Sequence, residues 1–95
     1  MSNKKHRWSL EEDTYCCETC VKYYVAEKSN MPVEILVKEL SEHFPNISTT
    51  SLRMKIQNIK QILEEEGIEN SLRIGPLSNY SLQNKKAMQN VLRKQ

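Results

Sequence analysis

Three cysteines within five positions, Cys16-Cys17-x-x-Cys20, form the densest cluster of reactive side chains in this chain. Residues three or four apart share a helix face, so Cys16 or Cys17 together with Cys20 would offer two thiolates on one side. A closed zinc site takes four ligands, and only His6 and His43 remain to complete one. The competing reading is structural, because an unpaired cysteine behaves as a small buried hydrophobe. We adopt it, and expect the three thiols to stay reduced inside a cell. Ser9, Ser48 and Ser78 stand where helices begin and read as caps rather than nucleophiles. With no glycine-rich phosphate loop and no Ser/His/Asp constellation, the chain reads as a non-enzyme that needs neither metal nor cofactor.

The other chemistry on offer is recognition. In the stretch Ser48 to Gly67, Leu52, Ile56, Ile59 and Leu63 recur at i, i+4, i+7 and i+11, an apolar stripe on one helix. Ser48, or alternatively Thr49, suits the N-cap, and Gly67 suits the left-handed residue after the end. Away from the stripe the first three turns carry Arg53, Lys55, Gln57, Asn58, Lys60 and Gln61, with no acid before Glu64. These side-chain types bond phosphates and the edges of guanine and adenine. The alternative is an ordinary solvated polar face, the usual outer side of an amphipathic helix.

Around this central helix the remaining elements follow from local signals. Ser9 and Glu12 make an S-x-x-E capping box, and Glu11, Glu12 and Asp13 suit the positive end of a helix over Ser9 to Lys28. Within it Cys17, Val21 and either Tyr24 or Val25 form the inner stripe, flanked by Cys16 and Cys20, while Trp8 folds back over the bundle. Ser29 to Pro32 is a break, with Pro32 suited to a first helical position. Val33 to Phe44 is a second helix that buries Val33, Leu36, Val37, Leu40 and Phe44, and Pro45-Asn46 turns into the third. Residues 68–79 read as a loop anchored by Leu72, Ile74 and Leu77. A last helix over 80–93, capped by Ser78 or Ser81, would bury Tyr80, Ala87, Met88 and Val91. The expected layout is a basic, disordered arm over 1–7 and one all-α domain over 8–95, with a core over 8–67.

Ninety-five residues with 38% apolar side chains support one modest core. Two glycines and three prolines leave little turn chemistry for a multistranded sheet. No apolar run approaches the ~18 residues of a membrane span, and no apolar segment of a signal peptide follows Lys4 and Lys5, so a cytoplasmic protein is expected. The net charge of +2 does not itself argue for nucleic acid, but its distribution is uneven. All twelve acids lie between Glu11 and Glu69, which leaves Lys4, Lys5 and Arg7 at one end and Lys85, Lys86, Arg93 and Lys94 at the other. Such ends either create a local positive surface or are simply solvated. Glu64-Glu65-Glu66 closes the central helix against its dipole and is either solvated or paired with Arg73.

Two resemblances arise at these residues. Trp8-Ser9-Leu10-Glu11-Glu12-Asp13 resembles the opening W-[ST]-x-E-E-D of a Myb or SANT repeat, a three-helix, helix-turn-helix type fold that reads DNA with its third helix. That likeness covers Arg7 to Leu63. The second and third tryptophans of the Myb pattern are missing, and Phe44 or Ile47, with Ile59, stand in for them. The second resemblance is to a domain at the N-terminus of bacterial and phage HNH-type restriction endonucleases. It rests on the Trp8 opening, on Met54-Lys55-Ile56-Gln57-Asn58-Ile59 and on Leu77-Ser78-Asn79-Tyr80-Ser81. It implies a phage or mobile-element setting and an accessory role at DNA, not nuclease activity.

Together these point to a Myb/SANT-like three-helix core with an added C-terminal helix that binds double-stranded DNA. Arg53, Lys55, Gln57, Asn58 and Lys60 are expected to face the duplex, with Lys4, Lys5 and Arg7 contacting phosphates as basic arms do. The alternative is a protein-binding module, such as a phage-encoded inhibitor of a host defence nuclease, which the acidic first helix favours. A homodimer through Tyr80, Met88 and Val91 is compatible with either.

Overall fold

A computed structural model describes residues 6–94. Its helices are α1 (Leu10–Cys20), which runs on as a π-helical segment (Val21–Ala26), α2 (Val33–His43), α3 (Thr49–Glu65) and α4 (Leu82–Arg93). Among the described residues there is no strand, and no helix is long and apolar enough to cross a membrane. The all-α class expected from the sequence is what the chain adopts.

Caps set most of the helix boundaries. Ser9 Oγ accepts from the Glu12 amide at 3.1 Å, while the Ser9 amide donates to Glu12 Oε1 at 2.9 Å, so the capping box closes at both ends. That amide bond, with His6 next in weight, holds the Glu12 carboxyl below its ordinary range. Ser48 and Ser81 cap α3 and α4 by accepting from the Ser51 and Asn84 amides. Gly67, at φ +68°, ends α3. There the Gly67 amide donates to Glu64 O and the Ile68 amide to Leu63 O, the paired bonds of a Schellman turn.

The first helix departs from the regular helix expected over Ser9 to Lys28. Past Cys20 it widens, the Glu27 amide reaching Lys22 O at 3.0 Å, and Lys28 closes it in the left-handed region at φ +49°. Val21 and Tyr24 are buried here, and the Tyr24 hydroxyl donates to Met31 O at 3.0 Å. Pro32 stands one position earlier than expected, as the N-cap of α2, in an extended conformation that its ring tolerates.

The core gathers Cys16, Cys17, Cys20 and Tyr24 with Leu36 and Leu40, the Leu52–Ile56–Ile59–Leu63 stripe, Leu72, and Ala87, Met88 and Val91 of α4. α4 packs chiefly on α1, and α2 packs on α3. Phe44, Val37 and Tyr80, expected inside, are only half-buried. α4 begins at Leu82 because Ser81, rather than Ser78, caps it.

Residues 68–81 form a strap that runs from the end of α3 back across its side. The Ser71 amide donates to Tyr24 O at 2.8 Å, Ser71 Oγ donates to Ser29 O at 2.7 Å, and Leu72 enters the core. The strap is therefore tied to the end of the first helix as well as to α3.

Candidate nucleic-acid interface

α2 and α3 are packed together and joined by the short turn 44–48, so the first turns of α3 emerge at the surface. Thr49, Thr50 and Arg53 are exposed there. Arg53 Nη1 lies 3.5 Å from Glu34 Oε2 of α2, a loose contact between two exposed side chains that is worth little. A groove of about 400 Å³ separates the two helices, lined by Glu34, Val37, Lys38, Thr49, Thr50 and Arg53. Its charge is mixed.

The rest of the expected duplex-facing set is engaged by the protein itself. Lys55 and Asn58 are not on the surface but buried, a correction to the expected polar front. Lys55 Nζ sits 2.6 Å from Asp13 Oδ1 and 4.6 Å from the centre of the Trp8 ring. Asp13, fully buried in α1, receives Gln83 Nε2 of α4 on its other oxygen at 2.9 Å, and Gln83 also donates to Trp8 O. Asn58 Nδ2 donates to Leu77 O at 2.8 Å and to Asn79 Oδ1 at 3.1 Å. Gln57 donates to Gly75 O at 3.1 Å, and Lys60 is held by Asn70 Oδ1 and Glu64 Oε2, each at 3.0 Å. The cause is geometric: α3 packs on the bundle along one stripe and against Trp8, α1 and the strap along another, so its buried arc also includes Lys55, Asn58 and Ile62.

The acids at the end of α3 are all exposed, as one of the two expectations had it, and among the described residues none pairs with Arg73. Glu64 accepts from Lys60 and Asn70, and Glu65 from Gln61 and the Tyr80 hydroxyl. Lys60 first, then Asn70, lowers the Glu64 carboxyl below its ordinary range; Tyr80 and then Gln61 do the same for Glu65.

Of the arm, Lys4 and Lys5 lie outside the described residues, as does most of the expected disordered segment. Arg7 is exposed, whereas His6 is tied down: Nε2 lies 2.9 Å from Glu12 Oε1 and its ring meets Trp8 edge-on. His43 stacks on Tyr15 with ring centres 3.8 Å apart. A cleft of about 430 Å³ opens beside Lys55, between Trp8, Met54, Asn58, Asn79 and Gln83.

All three cysteines are fully buried. Burial pushes the Cys16 thiol up to about 12 and also raises Cys17 and Cys20 well above the ordinary thiol value, so none is a thiolate near neutrality. Cys17 Sγ lies 3.6 Å from Asn84 Oδ1, a buried contact between α1 and α4. Among the described residues no group of His, Cys, Asp and Glu side chains is gathered so as to hold a metal ion. Sequence reasoning missed the Asp13–Lys55–Gln83 cluster, because Asp13 already had a sufficient explanation as a first-turn acid.

Comparison with protein-family models, with curated proteins and with solved structures finds no match to this chain.

Proposed function

We propose that this is a small non-enzymatic DNA-binding protein that presents the first turns of α3 to the duplex. The carrying observation is the pairing of α2 and α3 across a short turn, with the N-terminal residues Thr49, Thr50 and Arg53 of the second helix left exposed. Helix-turn-helix proteins place those positions against base edges while the preceding helix crosses the backbone. In this reading Arg53 is the principal contact and Gln57 an accessory one. Lys55 and Asn58 hold the helix in place, and Arg7 adds a phosphate contact. The resemblance to Myb repeats and to phage nuclease accessory domains supports the same reading.

The test is a fluorescence-anisotropy titration of random-sequence duplex at two salt concentrations, with wild type and Arg53→Glu. If about four phosphates are neutralised, log K against log salt falls with a slope of about −3.6. Arg53→Glu should abolish the binding. Wild-type binding that ignores salt, or that survives Arg53→Glu undiminished, counts against this surface.

A second reading has its own observation. Glu34 beside Arg53 gives the α2–α3 groove mixed charge, and Ile35 is half-exposed on α2, which suits a protein partner better than a phosphate backbone. A protein that fails to bind DNA yet captures one partner, and releases it on Arg53→Glu, would be such a module.

A further inference from the structure

α4 has a second face that the central helix cannot match. Its inward side is Asn84, Ala87, Met88 and Val91, at i, i+3, i+4 and i+7. The opposite stripe is Lys86, Gln89, Asn90 and Arg93, spaced the same way and all exposed, with Lys94 beside it. Among the described residues none of these side chains makes a hydrogen bond or an ion pair, whereas every α3 polar residue expected at the duplex has at least one such partner. No acid occurs in α4, nor anywhere after Glu69. The positive charge on this stripe is therefore uncompensated by its own helix.

We infer that the outer face of α4 is a contact surface for the phosphate backbone of duplex nucleic acid. Lys86 and Arg93 are the charged contacts, and Gln89 and Asn90 are hydrogen-bonding groups between them. Seven residues of helix place the two cations about 10 Å apart along the axis, close to the rise of three base pairs. Lys, Arg, Gln and Asn are the side chains that such backbones and base edges accept. An anionic membrane would attract the same charges, but surface helices insert an apolar face. The apolar face of α4 is already buried in the core, and Leu82 is the one exposed apolar side chain on the outer stripe. The inference rests on the DNA reading above but not on its α3 surface.

The experiment uses the full chain as wild type, as Arg53→Glu and as the double variant Lys86→Gln/Arg93→Gln. Each is titrated against a fluorescent random-sequence duplex and against phosphatidylserine vesicles, at about 50 and 200 mM salt. Removing one lysine or arginine from a phosphate makes the salt slope shallower by about one, so the double variant should bind DNA more weakly with a slope shallower by about two. Its circular dichroism and melting should be unchanged, since both positions are exposed. A double variant that binds DNA like wild type, while Arg53→Glu does not bind, overturns the α4 surface and leaves the DNA reading standing. Wild type that does not bind DNA even at low salt overturns both, as does binding to vesicles alone.

Discussion

Two helices of this protein carry nearly the same polar vocabulary and use it in opposite ways. On α3, Lys55, Asn58, Gln57 and Lys60 are drawn into contacts with Asp13, the strap and Glu64; on α4, Lys86, Gln89, Asn90 and Arg93 are exposed and have no partner among the described residues. The difference comes from how much of each helix is covered. α3 is flanked by α1, α2, α4 and the strap, so polar residues on its sides must find partners inside, where an unpaired group is destabilising. α4 lies at the edge, docked by one face on which Asn84, Ala87, Met88 and Val91 are buried and Gln83 reaches Asp13 and Trp8, so its opposite face stays exposed. Composition tells which side chains a helix can offer, and packing decides whether they remain on offer.

The comparison breaks most severely at Lys55. Replacing it with Met removes the cation from fully buried Asp13 and should cost about 3–5 kcal/mol in urea unfolding, since an unpaired buried charge remains. The double variant Lys55→Met/Asp13→Leu should recover much of that stability. If Lys55→Met proves nearly neutral, the ion pair is not buried and this side of α3 is as open as the outer face of α4. Asn58→Ala removes two hydrogen bonds to the strap and should cost about 1–3 kcal/mol, whereas Asn90→Ala on α4 should stay within about 0.5 kcal/mol.

Titration sharpens the contrast between interior and edge. The Cys16 thiol rises from 9.0 to about 12 on folding, so the unfolded chain ionises first as pH climbs. Below pH 9 the thiol is protonated in both states and stability is unaffected; between 9 and about 12 the unfolded state sheds the proton and stability falls. A thiol reagent at pH 8 should accordingly leave the folded protein unmodified and label it once urea unfolds it. The smallest effect is at the acid end. The Glu64 and Glu65 carboxyls have lowered values when folded, so the stability they add is present above their ordinary range near 4.5. It fades as pH drops through the lowered values. Both groups are exposed, so the effect should be a slight loosening of the strap, visible as faster amide exchange at Leu72, whose amide donates to Asn70 Oδ1, and at Leu77, whose amide donates to Gln57 O.

Much of the fold was legible because local signals agreed. The Ser9–Glu12 capping box, Ser48, Gly67 and the stripe of α3 each mark a boundary or a face without help from the rest of the chain. The widening after Cys20 was not legible, because a π-helical turn depends on what the bundle must fit, here Tyr24 and its bond to Met31 O. The site was half legible. Arg53 reads as exposed and is exposed; Lys55 and Asn58 read the same way and are not, because their partners Asp13, Leu77 and Asn79 are distant in sequence. The acid-free C-terminal end was visible, but its resolution into one exposed stripe required knowing that Ser81 starts α4 and that Ala87, Met88 and Val91 face inward.

The claim that the Lys55–Asn58 side of α3 is sealed while the outer face of α4 is open is tested most directly by lysine footprinting, in which brief acetylation of the folded protein is read out by mass spectrometry. Lys86 should be modified promptly and protected when duplex DNA is added, and Lys55 should be modified only after unfolding. Labelling of Lys55 at the same rate as Lys86 in the folded protein would contradict the account.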